Sequence, residues 1–254
     1  MEEKLWLACK DGDIEEVNTL LQNPQINTNW QFLDCSASPF DHTFGWTPFY
    51  IACCKGHIEI VKLLLNDKRV HLNIANKYGS TPFYIACCKG HIEIVKLLLN
   101  DNRIDINKAN KNGETSFYIA CLHGKTEIVK LLLNDKRIDI KRGDIKEQTP
   151  FFISCQKGCI EIVKHLLAHG REIDINKKDD EGKDALDIAR EIGNKKKDPW
   201  ESEKHFESRK RNCPKIVELI ESFKGNQSET RTKLRIELGF AGKFLFLSFS
   251  FFSS

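Results

Sequence analysis

The 254-residue chain has one methionine and seven prolines, and no apolar run of the roughly twenty residues that a membrane-spanning helix needs. Net charge is small: 39 lysines and arginines stand against 36 aspartates and glutamates, a balance of +3. No strong pull toward nucleic acid or an anionic membrane follows from that total. No Gly-rich phosphate loop and no kinase or hydrolase signature is present. Base-reading modules are missing as well. The opening residues Met1-Glu2-Glu3-Lys4 are acidic rather than basic, so no secretory leader is read there.

What is present is repetition. The twenty-one residues Thr47 to Asp67 recur unchanged at Thr81 to Asp101, an interval of 34 residues, and weaker copies start at Thr115 and Thr149. Self-similarity at that period signals a stacked array. Within a copy, Thr81 offers a helix cap and Pro82 follows where its missing N–H costs nothing. Gly90 ends this first helix. A second carries Ile92, Ile94, Val95, Leu97, Leu98 and Leu99, more apolar positions than one stripe needs. Glu93, Lys96 and Asn100 are left for water. Ordering 34 backbone residues costs roughly 35–70 kcal/mol. Two short helices cannot offset that alone, so each copy must bury its flanks on its neighbours.

The stretch Gly79-Ser80-Thr81-Pro82-Phe83-Tyr84-Ile85-Ala86-Cys87-Cys88-Lys89-Gly90-His91, followed by an apolar helix ending Leu97-Leu98-Leu99, resembles the ankyrin repeat. Phe49 and Phe83 stand where that family has Leu, Tyr50 and Tyr84 where it has His, and Cys53 and Cys87 where it has the second Ala. Copies are one residue longer than the usual 33, in the Asn-Asp-Lys-Arg segment. The resemblance implies an all-α solenoid of helix-turn-helix units joined by β-hairpin fingers. It also places Asn73 and Asn107 where the family accepts asparagine hydroxylation.

Six repeats are expected over residues 1–224. Glu3 to Leu21 is a degraded first copy with a polar outer face, and 22–46 an extended first finger rich in aromatics, among them Trp30, Phe40 and Trp46. The fingers Lys68–Ser80, Asn102–Glu114, Lys136–Gln148 and Arg171–Lys183 each pair an apolar alternation with polar turn residues, the chemistry of a hairpin. The third of these is the most basic. Asp184 caps a sixth copy, interrupted by a charged insertion at 193–212 that carries Lys195-Lys196-Lys197 and Arg209-Lys210-Arg211, and completed by a helix from Pro214 to Phe223. Residues 225–254 are expected as a disordered tail with a Phe-rich end.

Ten cysteines invite a disulfide or metal reading, but Cys9, Cys53, Cys87, Cys121 and Cys155 fall in repeat register. Helices about 10 Å apart cannot bring such residues to bonding distance. They read as small buried side chains in a reducing compartment. Cys54-Lys55-Gly56-His57 and Cys88-Lys89-Gly90-His91 have a zinc-like spacing, yet each copy offers too few donors for four-fold coordination. No metal, cofactor or catalytic residue is assigned.

The reading is a non-enzymatic, monomeric, cytoplasmic scaffold that binds another protein, not nucleic acid or membrane. The basic triplets leave a nuclear address open. Two alternatives stand beside it: an array without a selected partner, and an adaptor anchored to a membrane by the Phe-rich tail. The resemblance implies contact through a concave face of fingers and first helices, and the residues assigned are Trp30, Phe40, Tyr50, Lys77, Tyr78, Tyr84, Lys111, Tyr118, Arg142 and Lys146, with a ladder of Tyr50, Tyr84 and Tyr118 packed between copies, hydroxyls bonded to neighbouring fingers, as the equal alternative for those three.

Overall fold

A computed structural model describes residues 1–32, 45–199 and 201–240. The chain divides into two compact units, Met1–Asp139 and Ile140–Ser254. The first holds four helix pairs: α1 (Glu2–Asp11) with α2 (Ile14–Leu21), α3 (Pro48–Lys55) with α4 (Ile58–Asn66), α5 (Pro82–Lys89) with α6 (Ile92–Leu99), and α7 (Ser116–Leu122) with α8 (Thr126–Leu133).

Their ends follow from the local sequence. The hydroxyls of Thr47, Thr81 and Thr115 each accept the N–H of the tyrosine three residues on, at 3.1 Å. Gly56 and Gly90 close α3 and α5 in the left-handed region, at φ +86° and +89°. First helices pack in one row, α1 on α3, α3 on α5 and α5 on α7, and second helices in another, α2 through α4 and α6 to α8. Consequently α6 buries Ile94, Val95, Leu98 and Leu99 while Glu93, Lys96 and Asn100 face water.

The register cysteines of this unit, Cys9, Cys53, Cys87 and Cys121, are fully buried, and none is in a disulfide. Burial pushes the Cys9 thiol up to about 12 and those of Cys53 and Cys87 well above their ordinary value. His57 and His91 reach back to the preceding module, where their Nε2 atoms sit 3.1 and 2.9 Å from the carbonyls of Lys10 and Cys54. Each ring lies against the helix-ending glycine of that module. A Cβ on Gly56 would stand 2.6 Å from the His91 ring.

The second unit holds α9 (Pro150–Gln156), α10 (Ile160–His169), α11 (Ala185–Asn194), α12 (Glu203–Gly225) and α13 (Gln227–Glu237). Helix α9 packs on α10 and α11, α12 on α11, and α13 on both α10 and α12. Asp184 caps α11 through the N–H groups of Leu186 and Asp187.

Two expectations differ here. The charged stretch 193–212 is not an excursion before a helix starting at Pro214, because α12 begins at Glu203 and runs through the proline. Arg209, Cys213, Ile216, Ile220 and Phe223 form one buried stripe at helical spacing. That burial outweighs the roughly 3 kcal/mol a helix-interior proline costs. Nor does the chain leave the fold at 225: α13 buries Thr230 and Leu234, and its Arg231 and Arg235 donate to the carbonyls of Leu167 and Ala168 at 3.1 and 2.8 Å.

Candidate partner-binding surface

The loops between helix pairs are built from three recurring devices. In the first, an Asx side chain folds the tip: Asn76 Oδ1 accepts the N–H groups of Tyr78 and Ser80, Asn110 those of Asn112 and Glu114, Asp144 those of Lys146 and Gln148, and Asp179 those of Glu181 and Lys183. The second is an asparagine clamp. Asn73 donates to the carbonyl of Arg103 at 2.7 Å and accepts the N–H of Asp105 at 2.9 Å, and Asn29 and Asn107 do the same one module before and after.

The third explains the extra residue in each copy. Arg103 grips Asp101 through Nε and Nη2, and Nη2 also donates to the carbonyl of Leu65 at 2.8 Å. Arg137 joins Asp135 to Leu99, and Arg69 joins Asp67 to Leu21 and Asn23. These are helix-end carbonyls of the preceding module, groups that otherwise lack an intrahelical partner. The paired guanidinium holds the Asp67 and Asp101 carboxyls below the ordinary range.

With these bonds the loops are successions of turns. Among the described residues there is no strand, and Phe32 with Trp46 form an isolated antiparallel bridge. The β-hairpin fingers implied by the resemblance are therefore not confirmed. Asn and Asp side chains do much of the bonding that a ladder would have done.

The assigned contact residues separate into two groups. Tyr50, Tyr84 and Tyr118 are buried, at 1%, 6% and 2% exposure, which fits the packed ladder rather than the contact surface of their two readings. Their rings fill space between helices. The Tyr50 hydroxyl accepts from Asn76 at 3.0 Å, and that of Tyr84 donates to Glu114 at 2.8 Å, so each holds the finger leading to the next module. Burial raises both phenol pKa values. Trp30 is half-buried and meets Phe32 edge-on with ring centres 6.1 Å apart, and Phe32 stacks on Trp6. Phe40 lies outside the described residues.

Lys77, Tyr78, Lys111, Arg142 and Lys146 are exposed at finger tips. In the first unit, Lys77 holds its ammonium 5.0 Å from the Tyr78 ring, and the Lys111 N–H donates to the Tyr78 carbonyl at 2.9 Å. That bond sets two successive tips side by side. In the second unit the Asp180 N–H donates in the same way to the Lys146 carbonyl. Ile145, 69% exposed, was not among the residues assigned. Its signal in the sequence is the register, since it replaces the tip lysines Lys77 and Lys111. The basic triplet at 209–211 is not an exposed unit. Arg209 is 4% exposed, pairs with both oxygens of Glu201 and donates to the carbonyls of Ile192, Lys195 and Lys196.

Among the described residues no cluster of donors suits a metal ion and no helix is long and apolar enough to cross a membrane. Stacked helix pairs with a fixed buried frame and tips that change from copy to copy define a helical tandem-repeat protein. The family model for ankyrin repeats matches in three copies, over residues 5–110, 72–144 and 102–179, more than half of the chain. The chain belongs to the ankyrin repeat family. Ankyrin repeats are generally protein–protein interaction modules and typically non-enzymatic. No curated protein matches the chain.

Proposed function

We propose that this chain is a non-enzymatic scaffold that binds a partner protein through its finger tips, acting as a monomer in the cytoplasm. The observation that carries the reading is the contrast within one register. Buried positions repeat almost unchanged, while the exposed tip positions run Lys77, Lys111, Ile145 and Tyr78, Asn112, Lys146. Packing does not decide an exposed tip, so the variation is available to recognition. The buried tyrosines serve this surface indirectly, by fixing the finger each one bonds.

The test uses the full chain as bait in a native lysate, beside a variant with Lys77, Tyr78, Lys111 and Lys146 changed to alanine. A captured protein that is lost from the variant, with hydrogen-exchange protection on the tips when it is bound, is the expected result. Capture unchanged in the variant, with protection elsewhere, overturns the reading.

A further inference from the structure

We infer that the turns joining first to second helices in modules two to four bind an acidic segment of a partner protein, with carboxylates recurring about one module apart. This surface is separate from the finger tips. The tips adjoin the N-terminal ends of the first helices and these turns the C-terminal ends, about 12 Å away along the eight residues of α3 or α5. The observation that carries the inference is an exchange. Copies two and three have Lys55-Gly56-His57 and Lys89-Gly90-His91, whereas copy four has His123-Gly124-Lys125. Lysine and histidine trade places, yet each turn keeps one lysine.

Packing is served by histidine at the second of these positions, where His57 and His91 lie on the glycine of the preceding turn and meet a carbonyl there. Lys125 takes that place instead, its Nζ 3.5 Å from where a Cβ on Gly90 would stand. Lys55 and Lys89 are exposed and Lys125 half-buried, and among the described residues no carboxylate pairs with any of the three. The carboxylates nearest in the chain are already held: Glu59, Glu93 and Glu127 pair with Lys62, Lys96 and Lys130 at 2.8, 2.8 and 2.7 Å. Residues 33–44 connect Phe32 to Gly45, which leads into the start of α3 and not its end. A partner of opposite charge therefore gains in encounter rate and orientation at this edge.

The three lysines form one row. Burial raises the thiols of Cys54 and Cys88, while the charges of Lys89 and Lys55 oppose it at Cys54 and those of Lys89 and Lys125 at Cys88. Each thiol thus has two of the lysines near it, and Lys89 is common to both. Stacked helices lie about 8–10 Å apart, which sets the interval of the row. Every third residue of a polyproline II segment recurs on one side at about 9 Å, a match for that interval. A nucleic-acid strand carries a charge about every 3.4 Å and would set phosphates against Glu59, Glu93 and Glu127 as well. Among the described residues of this unit, Tyr78 is the one exposed Phe, Tyr or Trp, and it stands at a finger tip, so the row offers bases no such ring to stack on.

The experiment follows fluorescence anisotropy of a labelled peptide of repeated Glu-Pro-Pro, titrated with the full chain at low salt. The pair Lys89→Gln with Lys125→His removes two charges from the row and gives copy four the histidine that copies two and three carry. Its control is Lys68→Gln with Lys136→Gln, an equal loss of exposed charge at the starts of two fingers. Circular dichroism confirms that each variant is folded. The first pair should weaken binding by about fivefold or more and the control by less than about twofold. His123→Lys with Lys125→His restores the order of the earlier copies, keeps the charge and should bind within about twofold of the parent. A peptide of the same composition with its glutamates in one block should bind at least about threefold more weakly. Absence of binding overturns the inference, as does equal loss in both pairs, loss on the exchange, or equal affinity for the blocked peptide. So does a single-stranded oligonucleotide that binds tighter than the peptide through the same lysines. The scaffold reading stands or falls apart from these results, on capture by the tip variant.

Discussion

Glu147 sits at φ +60°, where the equivalent tip positions of the other fingers are Gly79, Gly113 and Gly182 at +82°, +78° and +78°. A side chain in the left-handed region costs roughly 1–2 kcal/mol. What Glu147 gains there is an ion pair with Lys177 at 2.9 Å, between groups 61% and 44% exposed. Such pairs return no more than about 1 kcal/mol. Glu147→Gly should therefore stabilise the protein by about 1 kcal/mol, read from the midpoint of urea unfolding. A variant less stable than the parent would show that the carboxylate does more than pair with Lys177. The position is legible from the repeat register, since glycine recurs at 79, 113 and 182. For Tyr50 and Tyr84 the sequence leaves contact surface and packed ladder equally open. A tyrosine suits both a contact surface and a packed interface, and what decides between them is Asn76 or Glu114, 26 or 30 residues away in the chain.

At the scale of elements, the arginine staples and the α12 stripe show what the sequence conceals. The extra residue of each copy was visible, but not its use, because the carbonyls that Arg69, Arg103 and Arg137 reach belong to the preceding module. A lysine in place of Arg103 lacks the Nε–Nη2 fork that grips both Asp101 oxygens while Nη2 also reaches the Leu65 carbonyl. Arg103→Lys should cost about 1 kcal/mol, close to Arg103→Ala, after allowance for a side chain 48% exposed. The triple change at 69, 103 and 137 should cost about three times as much, because the staples share no partner. Thermal unfolding measures both, and a triple variant no weaker than the single one removes the staples from the account. Helix α12 was misjudged for a related reason. Arg209 counts as polar in any composition, yet it extends an apolar stripe once Glu201 and three carbonyls satisfy its guanidinium.

That clasp also gives the second unit a pH dependence. The Arg209 guanidinium beside Glu201 lowers the carboxyl from 4.5 to about 2, with burial opposing and His205 assisting. In the unfolded chain the group takes a proton near the ordinary value. The clasp's contribution is thus present in full above about 4.5 and is lost as pH falls toward 2. Hydrogen exchange of residues 195–198 and 201, corrected for its intrinsic pH dependence, should accelerate over that window. Glu201→Gln should exchange fast at every pH and show no such step. Protection that stays constant down to pH 2 in the unaltered chain would remove Glu201 from the account.

For the molecule as a whole, the question is where the folded repeats end. A tail was expected from residue 225 because Gln227 to Arg235 is polar, and read as a lone segment it is. Its role becomes apparent only from what α10 lacks. The fifth copy ends Ala168-His169-Gly170 in place of Asn-Asp-Lys, and the carbonyls of Leu167 and Ala168 are taken by Arg231 and Arg235 of α13. The same helix sets Lys164 against Glu237 at 2.6 Å and brings the Phe240 ring edge-on to His165 at 5.8 Å. These contacts make α13 a closing element for the second unit. Ending the chain after Gly225 should expose Phe223 and leave those carbonyls without their arginines, at a cost of about 2–4 kcal/mol. Ending it after Phe240 retains all of these contacts and should leave the melting temperature near that of the full chain. The comparison separates α13 from the Phe-rich end, most of which lies outside the described residues. If both truncations melt together at the parent temperature, α13 does not close the unit. If both fall equally, the stabilising contacts come from beyond residue 240.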